Sequence, residues 1–359
     1  MTNLNVTVID QSSLKARGYF YVGGMYKGAP GKRHMGGQMF VEVYVPNVIR
    51  APYPIIMFHG AGQTNLNWLG TPDGRIGWAD YFVEQGYVVY LAEQPARGRS
   101  AYHPQEDGPR IFHPVEALEQ RFTSTWGSWP SASLHTQWPE NGRTIGSEIF
   151  DQFAASQVEY LPDNGLSQKL VLDCAKDLLK KTGPAILLTH SQAGPFGWNI
   201  ADAYPDMVKA IVALEPSGPP FSNDLSCNQA KNYGISELPL HFDPPVQTVS
   251  DFQLKLYHSG VEGERDGWVL NNQDYRLPRL SQIPILILTA EASYHAQYDH
   301  LTSHVLKQLG VEHDFVKLAD AGIHGNGHMM MLETNNLTIA AYIRNWLVNK
   351  IPDQGGDDK

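Results

Sequence analysis

Cysteine is scarce in this sequence of 359 residues, which contains only Cys174 and Cys227. Neither residue belongs to a CxxC pair or lies near histidines at the spacing of a zinc site, so the sequence excludes a disulfide framework and a zinc-finger domain. The two cysteines allow at most one disulfide, and the sequence alone leaves open whether they pair.

Positive charge is also in deficit, because 27 lysines and arginines stand against 37 aspartates and glutamates, for a net charge of −10. No cluster of basic residues offsets this balance. Proteins that bind phosphate backbones need a basic surface. We therefore expect neither a nucleic-acid partner nor binding to a membrane.

Long apolar runs are absent, and none approaches the roughly 20 residues that a membrane-spanning helix needs. The N-terminal segment MTNLNVTVIDQSSLKARGYF shows no charged region followed by an apolar one, which is the pattern of a signal peptide. We therefore expect a cytoplasmic protein, and the sequence leaves a homodimer open.

Short apolar runs, by contrast, recur along the chain, in which 42% of residues are hydrophobic. Five of them end in a polar residue, glycine or proline, namely YPIIMFHG, YVVYLAEQP, PAILLTHS, AIVALEPS and PILILTAE. Such runs are typical of parallel strands that are buried on both faces. Two earlier runs, GYFYVGGMY and QMFVEVYVP, also predict strands.

Helical patterns separate the later runs, in the segments GWADYFVEQG, LSQKLVLDCAKDLLKKTG, QYDHLTSHVLKQLG and NNLTIAAYIRNWLVNK. In the second segment, Lys180, Lys181 and Gly183 predict the end of the helix. The alternation of strands and helices predicts an α/β fold with a doubly wound, mostly parallel sheet. The polar residues 352–359 are predicted to be a disordered tail.

Two segments, residues 100–164 and 217–282, interrupt this alternation with irregular, proline-containing sequence. Long irregular connections inside a compact domain usually cover a binding site. We therefore predict a single domain with two cap insertions. Three tryptophans of the first insertion favour a covered apolar pocket, namely Trp126, Trp129 and Trp138.

Ser191 follows the apolar run AILLTH directly, and a helical pattern begins near Gly194. The sequence THSQA around this serine departs mildly from the G-x-S-x-G pattern of a nucleophile elbow, where a sharp strand–turn–helix joint exposes the serine hydroxyl. Ligands bind at the carboxyl ends of strands in open α/β sheets. Ser191 is therefore a candidate nucleophile, and the alternative is a serine that caps the helix.

A glycine-rich turn, FHGAGQT, follows an earlier strand at residues 58–64. Backbone N–H groups in such a turn can stabilise a developing oxyanion together with the residue after the nucleophile. We predict that Ala61, or alternatively Gly62, and Gln192 supply these donors.

Two histidines and two glutamates compete for the roles of general base and orienting acid. His328 lies in the loop GIHGNGHMMMLE and is the preferred base, with His324 as its rival. Glu215 ends one buried run and Glu291 ends another, and either carboxylate could orient the imidazole. The pattern alone leaves the choice between the two glutamates open.

Together, the segments HGAGQT, PARGRS, THSQAG, ALEPSGPPF and GNGHMMMLE resemble the motifs of the α/β-hydrolase superfamily, and more narrowly those of the hydrolases similar to esterase 713. The resemblance runs from residue 53 to residue 346 and implies a central sheet of about eight strands with helices on both faces. It also implies a serine hydrolase whose acid is a glutamate after the sixth strand, which in this sequence is Glu215. A triad of Ser191, His328 and Glu215 would then cleave a carboxylic ester or lactone of an apolar small molecule through an acyl-enzyme intermediate.

This interpretation needs no metal or organic cofactor, and its partner is the small-molecule ester or lactone itself. Two alternatives use the same pocket: a tailoring enzyme of secondary metabolism with cyclisation, condensation or lyase chemistry, and a small-molecule receptor with slow turnover. Arg97 and Arg99 in PARGRS could bind a substrate carboxylate, although a structural ion pair is the stronger interpretation.

Overall fold

The computed structural model describes residues 8–221 and 232–351 of the chain. Cys227 and residues 352–359 lie outside the described residues, so the pairing of the cysteines and the disorder of the tail stay predictions. Cys174 is buried, and burial raises the pKa of its thiol to about 12.

The strands of the described chain form one large sheet and one small ribbon. They are Leu14–Lys27 (β1), His34–Pro46 (β2), Ile55–Phe58 (β3), Val89–Glu93 (β4), Ala185–His190 (β5), Val208–Leu214 (β6), Leu254–Tyr257 (β7), Gly267–Leu270 (β8), Ile285–Thr289 (β9) and Asp314–Lys317 (β10).

Eight of these strands form the large sheet in the order β1-β2-β4-β3-β5-β6-β9-β10, and β7 pairs with β8 separately. The pairs β1–β2 and β2–β4 are antiparallel, and all other neighbours in the large sheet are parallel. The predicted mostly parallel sheet of about eight strands is therefore confirmed.

The central strands explain where the site forms. Every residue of β3, β5 and β9 is buried, as expected for strands that are covered on both faces. Their register aligns the carboxyl ends, because Phe58 lies beside Thr189, and Leu214 lies beside both His190 and Leu288. The residues that follow these strands therefore meet at one edge of the sheet.

Helices cover both faces of the sheet. They are Leu66–Leu69 (α1), Trp78–Glu84 (α2), Pro104–Asp107 (α3), Val115–Leu118 (α4), Glu148–Ala155 (α5), Asn164–Thr182 (α6), Gly194–Ala203 (α7), Asp299–Gln308 (α8) and Asn336–Lys350 (α9). The four helices predicted from periodicity are confirmed as α2, α6, α8 and α9. Each helix in the described ranges is too short or too polar to span a bilayer.

The longest helix, α6, has a capping residue at its start and cationic residues in its last turn. The carboxylate of Asp163 accepts the N–H of Leu166 at 2.9 Å and caps the start of α6. Lys180 and Lys181 lie in the last turn, where cations stabilise the helix dipole, and Gly183 follows with a φ of 73°.

The two irregular segments carry short elements. Residues 100–164 contain α3, α4 and α5, and residues 217–282 contain the β7–β8 ribbon. Their role as caps on a single domain stays a prediction. Trp138 is buried, whereas Trp126 is 70% exposed, so the expectation that all three tryptophans cover a pocket is wrong for Trp126.

Close packing at Gly194 generates a stability prediction. A Cβ atom at Gly194 would lie 2.4 Å from Pro216 Cβ and 2.7 Å from Pro216 Cα. Since the nearest atoms include the Pro216 backbone, which lies two residues after the buried strand β6, we expect Gly194→Ala to lower the free energy of unfolding by about 1–3 kcal/mol in urea titrations.

Gly165→Ala is the matched control, since Gly165 also lies in the first turn of a helix and its Cβ would meet no atom nearer than 3.3 Å. Alanine favours a helix over glycine, so this variant should be at least as stable as the parent protein. Equal losses in both variants, or no loss in Gly194→Ala, would contradict the packing argument.

Candidate active site

Ser191 occupies a sharp bend between β5 and α7. Its φ of 55° lies in the left-handed region, which a residue with a side chain seldom adopts. One turn of 3-10 helix, Ser191–Ala193, joins the strand to α7, and no side chain caps either helical element. The alternative of a serine that caps the helix is therefore wrong. Ser191 instead lines a cavity at the carboxyl edge of the sheet.

Two glycines permit this bend. A Cβ atom at Gly60 would lie 3.1 Å from the Cβ of Ser191, and Gly194 approaches Pro216 as described above. The N–H of Ser217 donates to the carbonyl oxygen of Ser191 at 2.9 Å. The bend is thus held between the loops that follow β3 and β6.

The predicted oxyanion donors, Ala61 and Gln192, line the same cavity as Ser191. Both polar atoms of the Gln192 side-chain amide are hydrogen-bonded. Its Oε1 accepts from Arg97 at 3.2 Å, and its Nε2 donates to Asn164 Oδ1 at 3.1 Å. The structure therefore brings both predicted residues to the cavity that Ser191 lines, and two hydrogen bonds hold the Gln192 side chain.

Arg97 is almost fully buried and ties this region together. Its Nη1 donates to the carbonyl oxygens of Gly60 and Gln63, each at 3.2 Å, on either side of Ala61. No described carboxylate pairs with it, so the expected ion pair is wrong for Arg97. Arg99 does form the structural ion pair, with two glutamates. Burial lowers the pKa of Arg97 to about 9.

His328 and Glu215 form a buried pair beside Ser191. The Nδ1 atom of His328 lies 2.5 Å from Oε2 of Glu215. The same carboxylate accepts the N–H of Ala290 at 2.8 Å and the hydroxyl of Ser293 at 2.7 Å. These contacts orient the imidazole through Nδ1, and His328 lines the cavity together with Ser191.

The rival residues pair with each other and not with Ser191. His324 Nδ1 lies 3.1 Å from Oε1 of Glu291, whose other oxygen accepts the N–H of Gly325 at 2.8 Å. Neither rival lines the cavity, and 63% of the His324 side chain is exposed. The geometry therefore pairs His328 with Glu215 and His324 with Glu291, a choice that the sequence pattern left open. Of the two histidines, only His328 lines the cavity.

The protonation of the buried pair follows from its surroundings. Burial, the neighbouring histidines and Arg121 all lower the pKa of His328 well below its ordinary value. Burial and the charge of Asp299 raise the pKa of Glu215, and the hydrogen bonds from Ser293 and Ala290 oppose this rise. The imidazole is therefore neutral near pH 7, which is the form that a general base requires.

A second histidine–carboxylate pair adjoins the first and was missed by sequence reasoning. The His295 ring stacks on His328 with centroids 4.7 Å apart and an interplanar angle of 12°. Its Nδ1 lies 2.8 Å from Asp299 Oδ1, and Asp299 Oδ2 accepts the hydroxyl of Thr289 at 2.7 Å. Helical periodicity gave no signal for this pair, because His295 lies in the 3-10 turn Tyr294–Gln297, Asp299 begins α8, and Tyr298 between them has a non-helical backbone.

His190, which directly precedes Ser191, was also missed by sequence reasoning. Its Nε2 lies 3.1 Å from the carbonyl oxygen of His328 and so helps to hold the loop that carries the imidazole. Burial lowers the pKa of His190 to about 3.

In the described part of the chain, one buried group has the spacing of metal ligands. Glu215, His295 and His328 each offer one atom within 4.8 Å of the others. Nδ1 of His328 bonds to Glu215, and Nδ1 of His295 bonds to Asp299. The close spacing of the three residues follows from these two histidine–carboxylate pairs.

Glu333 joins the His328 loop to the first irregular segment. Its carboxylate lies 2.8 Å from Nε2 of His135 and accepts the N–H of Gly327 and the side-chain amide of Asn326. Both Glu333 and His135 are fully buried. The loop that carries His328 is therefore fixed against residues 100–164.

The cavity that contains these groups has a volume of about 240 Å³. Its lining contains no lysine, aspartate or glutamate, and its polar side chains come from both irregular segments and from the strand ends. The contributors from the first segment are His113, Arg121, Phe122 and Tyr160. The volume lies just below the usual range for drug-sized ligands, so the cavity fits a small molecule.

Comparisons with known proteins support this fold. The chain is 42% identical over 332 residues to the "Probable secreted lipase phiG" of Fungal sp. (strain ATCC 74256), and the match covers 92% of this chain and 88% of that protein. A solved structure described as that of a novel bacterial esterase superposes with a TM-score of 0.62 at 22% identity, covering 97% of this chain and 99% of that one. No protein-family model matches. The chain belongs to the α/β-hydrolases, and it is a carboxylic-ester hydrolase.

The same comparison corrects the expected location. The fungal relative is named as a secreted protein, so the expectation of a cytoplasmic protein is wrong. That expectation relied on the absence of a signal pattern in the first twenty residues, and such an absence is weak evidence about where a protein acts.

The Glu333 contacts generate a testable prediction. Glu333→Ala would leave His135 and two loop donors without an acceptor in the protein interior, and breaking such a buried pair is costly. We expect the variant to lose about 3 kcal/mol or more of unfolding free energy in urea titrations.

The exposed residue Glu140 supplies the control, because Glu140→Ala removes the same side chain from the surface of the same protein. That variant should unfold within about 0.5 kcal/mol of the parent. If the two variants were equally stable, Glu333 would not be holding the loop.

Proposed function

We propose that the protein is a serine hydrolase in which Ser191 is the nucleophile, His328 the general base and Glu215 the residue that orients the imidazole. The observation that carries this proposal is the shared cavity, where the strained bend of Ser191 and the buried His328–Glu215 pair meet. Strained backbone conformations at a non-glycine residue concentrate at functional sites.

In the first half of the reaction, the Ser191 hydroxyl attacks the ester carbonyl and transfers its proton to Nε2 of His328. The backbone N–H groups of Gln192 and Ala61 donate to the oxyanion that forms on the carbonyl oxygen. His328 then returns the proton to the leaving alcohol, and the acyl group stays on Ser191.

In the second half, water replaces the alcohol. His328 accepts a proton from this water as it attacks the acyl-enzyme, and Ser191 leaves with a proton from the imidazole. Glu215 stabilises the imidazolium that forms in each half because its carboxylate already accepts the N–H at Nδ1.

The substrate is a small ester or lactone. The sequence predicted an ester or lactone of an apolar small molecule. The cavity lining supports a polar group on this substrate as well, because hydroxyl, amide, imidazole and guanidinium groups line the cavity with Ser191. Buried polar groups left without partners by an apolar ligand would weaken its binding.

The decisive experiment is covalent labelling. Ser191→Ala should lose labelling by a fluorophosphonate probe, and its rate of p-nitrophenyl acetate hydrolysis should fall by about 10⁴-fold or more, because the nucleophile is removed. Intact-protein mass spectrometry and initial rates measure the two effects.

Ser217→Ala is the matched control, since Ser217 lines the same cavity. It should retain the label. Labelling that persisted in Ser191→Ala and vanished in Ser217→Ala would show that Ser217, and not Ser191, is the nucleophile. That result would overturn the proposal.

The pKa of His328 makes a second prediction. The base must be neutral, and its pKa is lowered well below 6.5. As pH falls, kcat/KM should therefore hold through pH 6.5 and decline only at more acidic values, since this ratio reports the free enzyme.

Tryptophan fluorescence at each pH would separate titration of the base from loss of the fold. An acid-side midpoint at or above 6.5, with the fold intact, would show that the titrating base is not this buried imidazole.

A further inference from the structure

The guanidinium of Arg121 is not paired with a carboxylate among the described residues. It is half-buried and lines the cavity that contains Ser191. Among the described residues it makes no hydrogen bond and no ion pair, and its contact is with the Tyr294 ring, whose centroid lies 5.3 Å from the guanidinium carbon. Other arginines near the site, such as Arg97 and Arg143, are bonded to carbonyl oxygens.

The turn that carries Arg121 is held in place. Residues Glu119–Thr123 form a π-helical turn, an irregularity that is frequent at functional sites. Phe122 stacks on the His328 ring at 5.6 Å, and the hydroxyl of Thr123 donates to the carbonyl oxygen of Arg143 at 2.6 Å. Arg121 is therefore presented to the cavity by a fixed segment.

Arg121 is the one arginine or lysine in the lining of the Ser191 cavity. The lining has no acidic residue, and the carboxylates of Glu215 and Asp299 are hydrogen-bonded to His328 and His295. Burial lowers the pKa of His113 to about 4 and of His190 to about 3, so both are neutral near pH 7. A neighbouring cavity of about 210 Å³ is also lined by Arg121, together with Arg265 and again without an acidic residue.

We propose that Arg121 is the binding site for a carboxylate on the ester substrate. The substrate class is then a half-ester of a dicarboxylic acid, with its ester carbonyl at Ser191 and its free carboxylate at Arg121. This inference rests on the proposed serine hydrolase. The planar guanidinium offers paired donors that match a carboxylate, and its charge attracts an anionic ligand into a cavity that no acidic side chain lines.

The kinetic test compares matched esters. Monoethyl succinate, glutarate and adipate are each paired with a neutral ethyl ester in which an isopropyl group replaces the carboxylate. The wild-type protein should show the higher kcat/KM for at least one half-ester over its neutral partner. In Arg121→Met this ratio should fall by about 10- to 100-fold, because a charge-assisted hydrogen-bonded pair is lost.

Two further variants sharpen the comparison. Arg121→Lys keeps the charge but not the paired donors, so its ratio should lie between those of wild type and Arg121→Met. Arg33→Met removes one positive charge from an exposed residue that lines neither cavity, and it should leave the ratio unchanged. A ratio that falls equally in Arg33→Met would mean that net charge, and not Arg121, attracts the half-ester.

A binding measurement separates this inference from the proposed mechanism. Calorimetry with the Ser191→Ala protein should detect binding of the preferred half-ester, and the Ser191→Ala/Arg121→Met protein should bind it at least about tenfold more weakly. Equal binding by the two proteins, or no preference for any half-ester by the wild type, would overturn the carboxylate site. Ester hydrolysis that continued in Ser191→Ala would instead overturn the proposed nucleophile and leave the binding result to stand alone.

Discussion

The left-handed conformation of Ser191 is the constraint on which the site depends. The chain must leave a buried strand at His190 and enter a helix at Gly194 within three residues. A non-glycine residue in this conformation costs roughly 1 kcal/mol or more, so the surrounding structure has to enforce it. Gly60 and Gly194 allow the close approach of the neighbouring loops, and Ser191 lines the cavity between them.

Three buried charged groups then shape the loops around this bend. Glu215 accepts hydrogen bonds from the end of β9 and from His328, Arg97 donates to the loop after β3, and Glu333 accepts from the loop that carries His328. The hydrogen bonds that a buried ionisable group makes offset part of the cost of removing it from water. Each of these groups therefore stabilises one specific loop conformation, and the three loops together form the cavity.

The sequence predicted whatever depended on local pattern. Buried runs predicted the parallel strands, and the order of the motifs predicted that Ser191, Glu215 and His328 lie at strand ends or in a nearby loop. What it missed depends on contacts between distant segments, such as Glu333 with His135, or the carbonyl oxygens around Arg97. The two candidate glutamates were equivalent in pattern. The family resemblance favoured Glu215, and the structure pairs Glu215 with His328 and Glu291 with His324.

Burial also explains why a single arginine can determine what the cavity prefers. Burial keeps His113, His190 and His328 neutral near pH 7. A charged imidazole loses more hydration free energy than a neutral one when it is removed from water. Arg121 is the one arginine in the lining of this cavity. The same burial that makes His328 a usable base therefore leaves the positive potential of the cavity concentrated at Arg121. Catalytic competence and preference for an anionic substrate would then have a common physical origin in the exclusion of water from this edge of the sheet.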